Sequence, residues 1–179
     1  MKTKKPILMN QGHTDEVLTP ECAINPLLPF LNKKWLVWEC AWGQGSLAKH
    51  LKNKGFKVFG NGNNDFLDKD LFITQFDCII TNPPYSLKYE FLKRAYEYGK
   101  PFAFLLPLTA LEGKARGELY RKYGIQLIIP NKRINFIMPN KQGGSWFQTA
   151  WFCYKLNLPK DLMFVDLKQK IKGEDENGK

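Results

Sequence analysis

Apolar residues fall along this chain in short blocks of two kinds, separated by polar breaks rich in glycine, proline and asparagine. The blocks Trp35–Cys40, Phe56–Phe59, Phe76–Thr81, Pro101–Pro107, Ile125–Ile129 and Phe147–Leu156 are dense in β-branched and aromatic residues. Their length and composition predict strands. Between them, Ser46–Asn53 sets Leu47, Ala48 and Leu51 on one face of a helix that Gly55 stops, while Leu87–Tyr98 and the basic stretch Leu111–Tyr123 predict two more helices. Shorter extended pieces are predicted at Asp65–Leu67 and at Arg133–Ile137. Thr19-Pro20-Glu21 has the form of a helix start, with Thr as N-cap and Pro at the first helical position, for a helix to about Leu31 that Pro26 and Pro29 disturb. Strands alternating with helices predict an α/β fold with a mostly parallel sheet.

The chain has 179 residues, enough for one domain with a full core. A single domain over residues 1–167 is expected, with an irregular lead-in at 1–16 and a disordered polar tail at 168–179. A hydrophobic content of 44% and a mean hydropathy of −0.39 describe a soluble protein, and no apolar run is long enough for a membrane span. The basic N-terminus lacks a following apolar signal region, so a cytoplasmic protein is expected. Four cysteines without a Cys-x-x-Cys pair, and only two histidines, give no metal-ligand spacing, so no metal is expected.

Net charge is +10 and unevenly spread. Residues 1–85 carry 10 basic and 8 acidic groups, 86–141 carry 11 and 4, and 142–179 carry 6 and 5. The excess lies just after the most distinctive tetrapeptide of the chain, Asn82-Pro83-Pro84-Tyr85. Basic clustering beside candidate chemistry favours a polyanion partner over a merely solubilising surface.

Asn82-Pro83-Pro84-Tyr85 follows a buried-type strand, where open α/β sheets place their ligand chemistry. Its residue types suit the activation of an exocyclic amino group on a planar ring. Such a nitrogen is a poor nucleophile because its lone pair is delocalised into the ring. Acceptors on both N–H bonds, the Asn82 side-chain carbonyl and the Pro83 backbone carbonyl, would localise that pair. Consecutive prolines stiffen the turn and bring no amide donors of their own, and Tyr85 offers a flat face for stacking. As bare turn chemistry the tetrapeptide would also serve as an ordinary loop.

A second constellation, Glu39-Cys40-Ala41-Trp42-Gly43-Gln44-Gly45, leaves a strand and enters a helix. Small residues at 41, 43 and 45 let backbone approach a ligand closely, and the helix start offers amides to an anionic group. Glu39 can accept from a ligand ammonium. No phosphate-binding Gly-x-x-x-x-Gly-Lys pattern is present.

Taken in order, Thr19-Pro20-Glu21, Glu39 to Gly45, Asp65-Phe66-Leu67 and Thr81 to Tyr85 resemble the class I S-adenosylmethionine-dependent methyltransferases that modify amino groups. The likeness covers about residues 17–155 and is greatest to small phage and prophage DNA adenine methyltransferases. It implies a Rossmann-like domain with helices on both faces and a C-terminal antiparallel strand, S-adenosylmethionine as cofactor, and transfer to the adenine amino group of nucleic acid, DNA before RNA. It implies a cofactor site of Thr19, Pro20, Glu39, Cys40, Ala41, Gly43, Gly45, Asn61, Asp65, Phe66 and Asn82. Glu39 and the small residues would border the methionine part, Asp65 and Phe66 the adenine, and Thr19 and Pro20 would close the pocket. Asn82, Pro83, Pro84 and Tyr85 would hold a flipped target base.

Two departures stand out. Related proteins place an acid at the end of the second strand for the ribose hydroxyls; here that place reads Asn61-Gly62. The first small position of the turn is Cys40-Ala41 rather than glycine, with Trp42 following. Lys88, Lys132, Arg133, Phe136 and Lys141 are the candidate nucleic-acid contacts, with Trp146 a further aromatic near them. A monomer without a separate recognition domain is expected, so a partner protein could supply specificity. RNA adenine, a protein glutamine amide, and binding without turnover remain alternatives.

Overall fold

The computed structural model describes residues 18–60, 66–68, 70, 73–137 and 147–167. Expectations for the lead-in, for Asn61, Asp65, Lys141 and Trp146, and for the tail after 167 lie outside these residues.

Among the described residues, seven strands form one sheet: β1 (Leu36–Trp38), β2 (Lys57–Phe59), β3 (Cys78–Thr81), β4 (Phe102–Pro107), β5 (Gln126–Pro130), β6 (Thr149–Tyr154) and β7 (Leu162–Val165). Their spatial order is β2-β1-β3-β4-β6-β5-β7. The pairs β1–β2, β1–β3, β3–β4 and β5–β7 are parallel, and β6 runs antiparallel to both β4 and β5. The helices α1 (Ser46–Asn53), α2 (Lys88–Tyr98) and α3 (Lys114–Tyr123) fall where the apolar periodicity puts them.

Side chains of successive strand residues point to opposite faces, and both faces of this sheet are covered. Val37, Cys78, Ile80, Leu105 and Trp151 pack with Leu47 and Leu51 of α1 and with Ala23, Ile24 and Leu27. Trp38, Ile79, Phe104, Leu106 and Phe152 pack on the other face with Phe91, Leu92 and Ala95 of α2. Burial on both faces explains why β4 reads as a continuous apolar run with every residue buried. Cys40, Cys78 and Cys153 are buried free thiols, and Cys22 is half-buried. No helix among the described residues is long and apolar enough to cross a membrane.

Three expectations need correction. The helix from Thr19 to Leu31 does not form: Glu21–Ala23 and Leu28–Phe30 are separate 3₁₀ turns. Pro26 and Pro29 lack the amide donors a continuous helix needs. The residue before the first turn is Pro20, with no side-chain cap, so Thr19 is not an N-cap. Residues 133–137, expected as an extended piece, join the sheet as no named strand: among the described residues Ile137 makes an isolated antiparallel bridge with Leu18, while Ile134 and Phe136 turn into the core. Conversely, β7 was not foreseen; Leu-Met-Phe-Val has no polar alternation, and Leu162 and Phe164 remain exposed.

Sheet order reverses direction at β1, whose neighbours are β2 on one side and β3 on the other. Such a switch point opens a crevice at the carboxyl ends of the two central strands. Both chemical constellations leave the sheet there.

Candidate active site at the ends of β1 and β3

At the end of β1, Glu39 is 1% exposed. Its Oε1 accepts from the Ala41 amide at 3.0 Å and from the Thr81 hydroxyl across the switch point. Its Oε2 takes no hydrogen bond among the described residues. Burial pushes the carboxyl up to about 7, against which the Thr81 and Ala41 hydrogen bonds pull it down. The strand end is therefore poised to ionise near neutrality, and a cation arriving at Oε2 would favour the charged form. Cys40 is buried beside it, and burial holds its thiol well above the usual range.

The turn that follows approaches backbone and ring closely. Gly45, at φ +73°, lies under the Trp42 indole, where an added Cβ would sit 2.9 Å from Nε1. Gly60, just past β2, lies against the other side of the same residue; an added Cβ would come within 2.1 Å of the Glu39 carbonyl and 3.0 Å of Trp42 Cε3. Trp42, a departure in sequence, thus fills the space between the turn and the end of β2. Gly43 at φ +50° has only the Ala41 carbonyl near its Cβ position. Gly45 is the N-cap of α1 and carries no side-chain acceptor, so the first-turn amides of α1 have no side-chain cap. This cradle of glycines, uncapped amides and a buried carboxylate fits the amino-acid portion of a zwitterionic ligand.

At the end of β3 stands Asn82. Its Nδ2 donates to Thr19 Oγ1 at 3.1 Å, and its buried Oδ1 has no donor among the described residues. No described residue donates to the Pro83 carbonyl either. The Pro84 carbonyl, in contrast, is taken by the Leu87 amide at 3.0 Å, which closes the 3₁₀ turn Tyr85–Leu87 ahead of α2. The ring of Tyr85 meets Phe147 edge-on, with centroids 5.4 Å apart and planes at 75°.

Thr19 joins the two constellations. It is 3% exposed; besides meeting Asn82, its carbonyl accepts from the Ser46 hydroxyl, at the start of α1, at 2.8 Å. Thr81, Ser46 and Phe147 are the site residues that sequence reasoning missed. Thr81 and Ser46 flank assigned residues, and Phe147 opens the apolar block that becomes β6.

Other predicted residues are placed apart. Phe66 is 1% exposed and packed against Trp38, Phe91 and Tyr98, with centroid distances of 5.3, 4.9 and 6.0 Å. Its ring belongs to the aromatic core rather than to an open wall. Phe136 is 5% exposed and packs in the core, so it presents no surface to a base. Lys88 donates to the Tyr85 carbonyl at 3.0 Å and so ties the loop to α2. Lys132 and Arg133 are exposed. A cavity of about 230 Å³ lined by Tyr123, Gln126, Tyr154 and Lys155 lies at the opposite end of the sheet and holds no predicted site residue.

No family model matches the chain, and no curated protein matches it. Solved structures do. A Listeria monocytogenes protein described as a class I S-adenosylmethionine-dependent methyltransferase superposes with a TM-score of 0.60 at 14% identity, over 88% of this chain and 68% of its own. A Vibrio vulnificus YJ016 protein described as the modification subunit of a type I restriction enzyme matches with a TM-score of 0.51 at 12% identity. That match covers 77% of this chain and 44% of the subunit, so the chain spans less than half of it. With a seven-stranded mixed sheet, a switch point at β1 and an antiparallel β6, the fold of this chain is that of the class I S-adenosylmethionine-dependent methyltransferases.

Proposed function

We propose that this protein is an S-adenosylmethionine-dependent methyltransferase acting on the exocyclic amino group of adenine in nucleic acid, DNA before RNA. The observation that carries the reading is the buried Asn82 Oδ1 without a donor, beside the Pro83 carbonyl, at the switch point of the sheet. A buried acceptor left unpaired costs about 1–3 kcal/mol. That cost is recovered when an amine fills the place, and Asn82 and Pro83 together offer one acceptor for each N–H bond. The amine lone pair then leaves the ring system and becomes available for attack.

When bound, S-adenosylmethionine supplies an activated methyl group on a sulfonium. Glu39 would hold its ammonium, the α1 amides its carboxylate, and Gly43 and Gly45 the backbone clearance for both. The near-perpendicular rings of Tyr85 and Phe147 favour a flat acceptor over a flexible one. If the target lies in a duplex, the base must be flipped out to reach the loop. The excess of basic groups over residues 86–141 supports a polyanionic substrate.

The test is methyl transfer from labelled S-adenosylmethionine to separate pools of DNA, RNA and protein, followed by identification of the methylated residue. N6-methyladenine in DNA is the expected product. Label in a protein glutamine would transfer the reading to an amide acceptor. Cofactor binding without label in any pool would leave a binding protein.

A further inference from the structure

We infer that Thr19 is a positioning residue whose hydroxyl anchors the Asn82 side-chain amide at the end of β3 and limits its rotation. The inference rests on the amine-activating reading of the site and assigns Thr19 a task other than closing on the cofactor. An asparagine amide has two ends of nearly equal shape, one an acceptor and one a pair of donors. A half-turn about its terminal torsion would exchange them and offer an amine the wrong group. A hydroxyl both donates and accepts, so what Thr19 supplies is an anchor that limits this rotation, with the nitrogen end of the amide on its side.

Thr19 Oγ1 takes that end at 3.1 Å, from a residue that is itself held in place. Leu18 exchanges two main-chain hydrogen bonds with Ile137, of 2.8 and 3.1 Å. The Thr19 carbonyl accepts from Ser46 at 2.8 Å, and four residues on the Ala23 carbonyl accepts from the Trp151 indole at 2.7 Å. Three separate elements thus fix the segment that carries the hydroxyl. With the helix lost to Pro26 and Pro29, the Thr19 side chain is released from capping and points at Asn82. Through Ser46 and Asn82 the same residue also ties the start of α1 to the end of β3, so the amide and the cofactor cradle share one anchor.

The experiment compares full-length wild type with Thr19→Val, which keeps the shape and removes the hydroxyl, and Thr19→Ser, which keeps the hydroxyl. Three quantities are read: S-adenosylmethionine affinity by calorimetry, kcat and KM for methyl transfer to DNA, and solvent exchange of the Asn82 side-chain amide protons by NMR. For Thr19→Val the expected result is faster Asn82 exchange and a kcat lower by about tenfold, the value of one neutral hydrogen bond, with cofactor affinity kept. Thr19→Ser restores both. Cofactor affinity lost while kcat and Asn82 exchange stay unchanged would overturn the inference, as would a Thr19→Ser variant as impaired as Thr19→Val. If Thr19→Val does not fold, Thr19→Ala takes its place in the same comparison. If wild type transfers no methyl group to any acceptor, the functional reading fails on its own, and Asn82 exchange still decides the role of Thr19.

Discussion

The ends of β1 and β3 lie side by side and each presents a buried acceptor, but they solve burial in opposite ways. At β1, Glu39 Oε1 is saturated by Ala41 and Thr81, and the cost of burial appears as a carboxyl that resists ionising until about pH 7. At β3, Asn82 is neutral, so burial leaves its charge state alone and appears as a bare oxygen instead. The first arrangement answers to a cation, which would restore the ionised carboxylate. The second answers to a neutral N–H donor. On the proposed function, two neighbouring strand ends would serve different parts of one reaction, the cofactor and the acceptor.

The sharpest break in that comparison is Asn82→Ala. Loss of one preorganised hydrogen-bonding group lowers turnover by about 10²–10³-fold. Cofactor affinity should hold, since Glu39 and the glycine turn are untouched. Kinetics and calorimetry on the same preparation check both halves. Near-normal turnover would remove Asn82 from the chemistry.

Glu39 gives the next effect, visible in stability. The carboxyl ionises near 4.5 when unfolded and near 7 when folded. Between those values the folded state holds the extra proton, so stability is greatest below pH 4.5 and falls as pH rises through 7. The expected loss from this group is about 3 kcal/mol. Glu39→Gln keeps an acceptor for Ala41 and Thr81 and should flatten that component, measured by denaturant unfolding at pH 5 and pH 8. The same variant should weaken S-adenosylmethionine and abolish the proton release that accompanies its binding near pH 6.5. An unchanged pH profile would mean that Glu39 is not the titrating group.

Backbone clearance at the β1 end can be tested by a pair of glycines. Gly55→Ala meets no atom within 4 Å and should cost only the left-handed backbone penalty, about 1–2 kcal/mol. Gly60→Ala carries an adverse φ of +145° and also runs into the Glu39 carbonyl, so it should cost clearly more in the same unfolding assay. Equal losses would show that the end of β2 can move away from Glu39.

Much of this was legible in the chain because the fold is written in burial. Strands covered on both faces are continuous apolar blocks, and α1 came out with the bounds its apolar face predicts. The N-terminal helix failed because its apolar residues kept helix-like spacing while Pro26 and Pro29 removed the hydrogen bonds that spacing requires. Phe136 and Phe66 show a different limit. Aromatic residues beside a candidate site look alike whether they face ligand or core, and only the packing separates them. The partnership of Thr19 with Asn82 spans 63 positions, and no local pattern encodes it.

The smallest expected effect concerns the acceptor side alone. Lys132 and Arg133 are exposed on the segment that leads to Ile137, which pairs with Leu18 next to Thr19. On the proposed reading these cations would meet nucleic acid on the acceptor side of the site, while Phe136, between them and the bridge, is turned inward. Each phosphate neutralised on duplex DNA contributes a log–log salt slope of about −0.9. Lys132→Gln with Arg133→Gln should thus weaken DNA binding and flatten its salt dependence by about one to two units of slope. Because phosphate contacts position without reading sequence, the loss should be similar across DNA sequences. S-adenosylmethionine affinity should not change, because Glu39 and the turn at 41–45 lie on the other strand end. Binding of wild type and variant across a salt series, with cofactor calorimetry alongside, checks both statements. An unchanged slope would move the DNA path off this segment, and a coupled loss of cofactor affinity would erase the division of labour between the ends of β1 and β3.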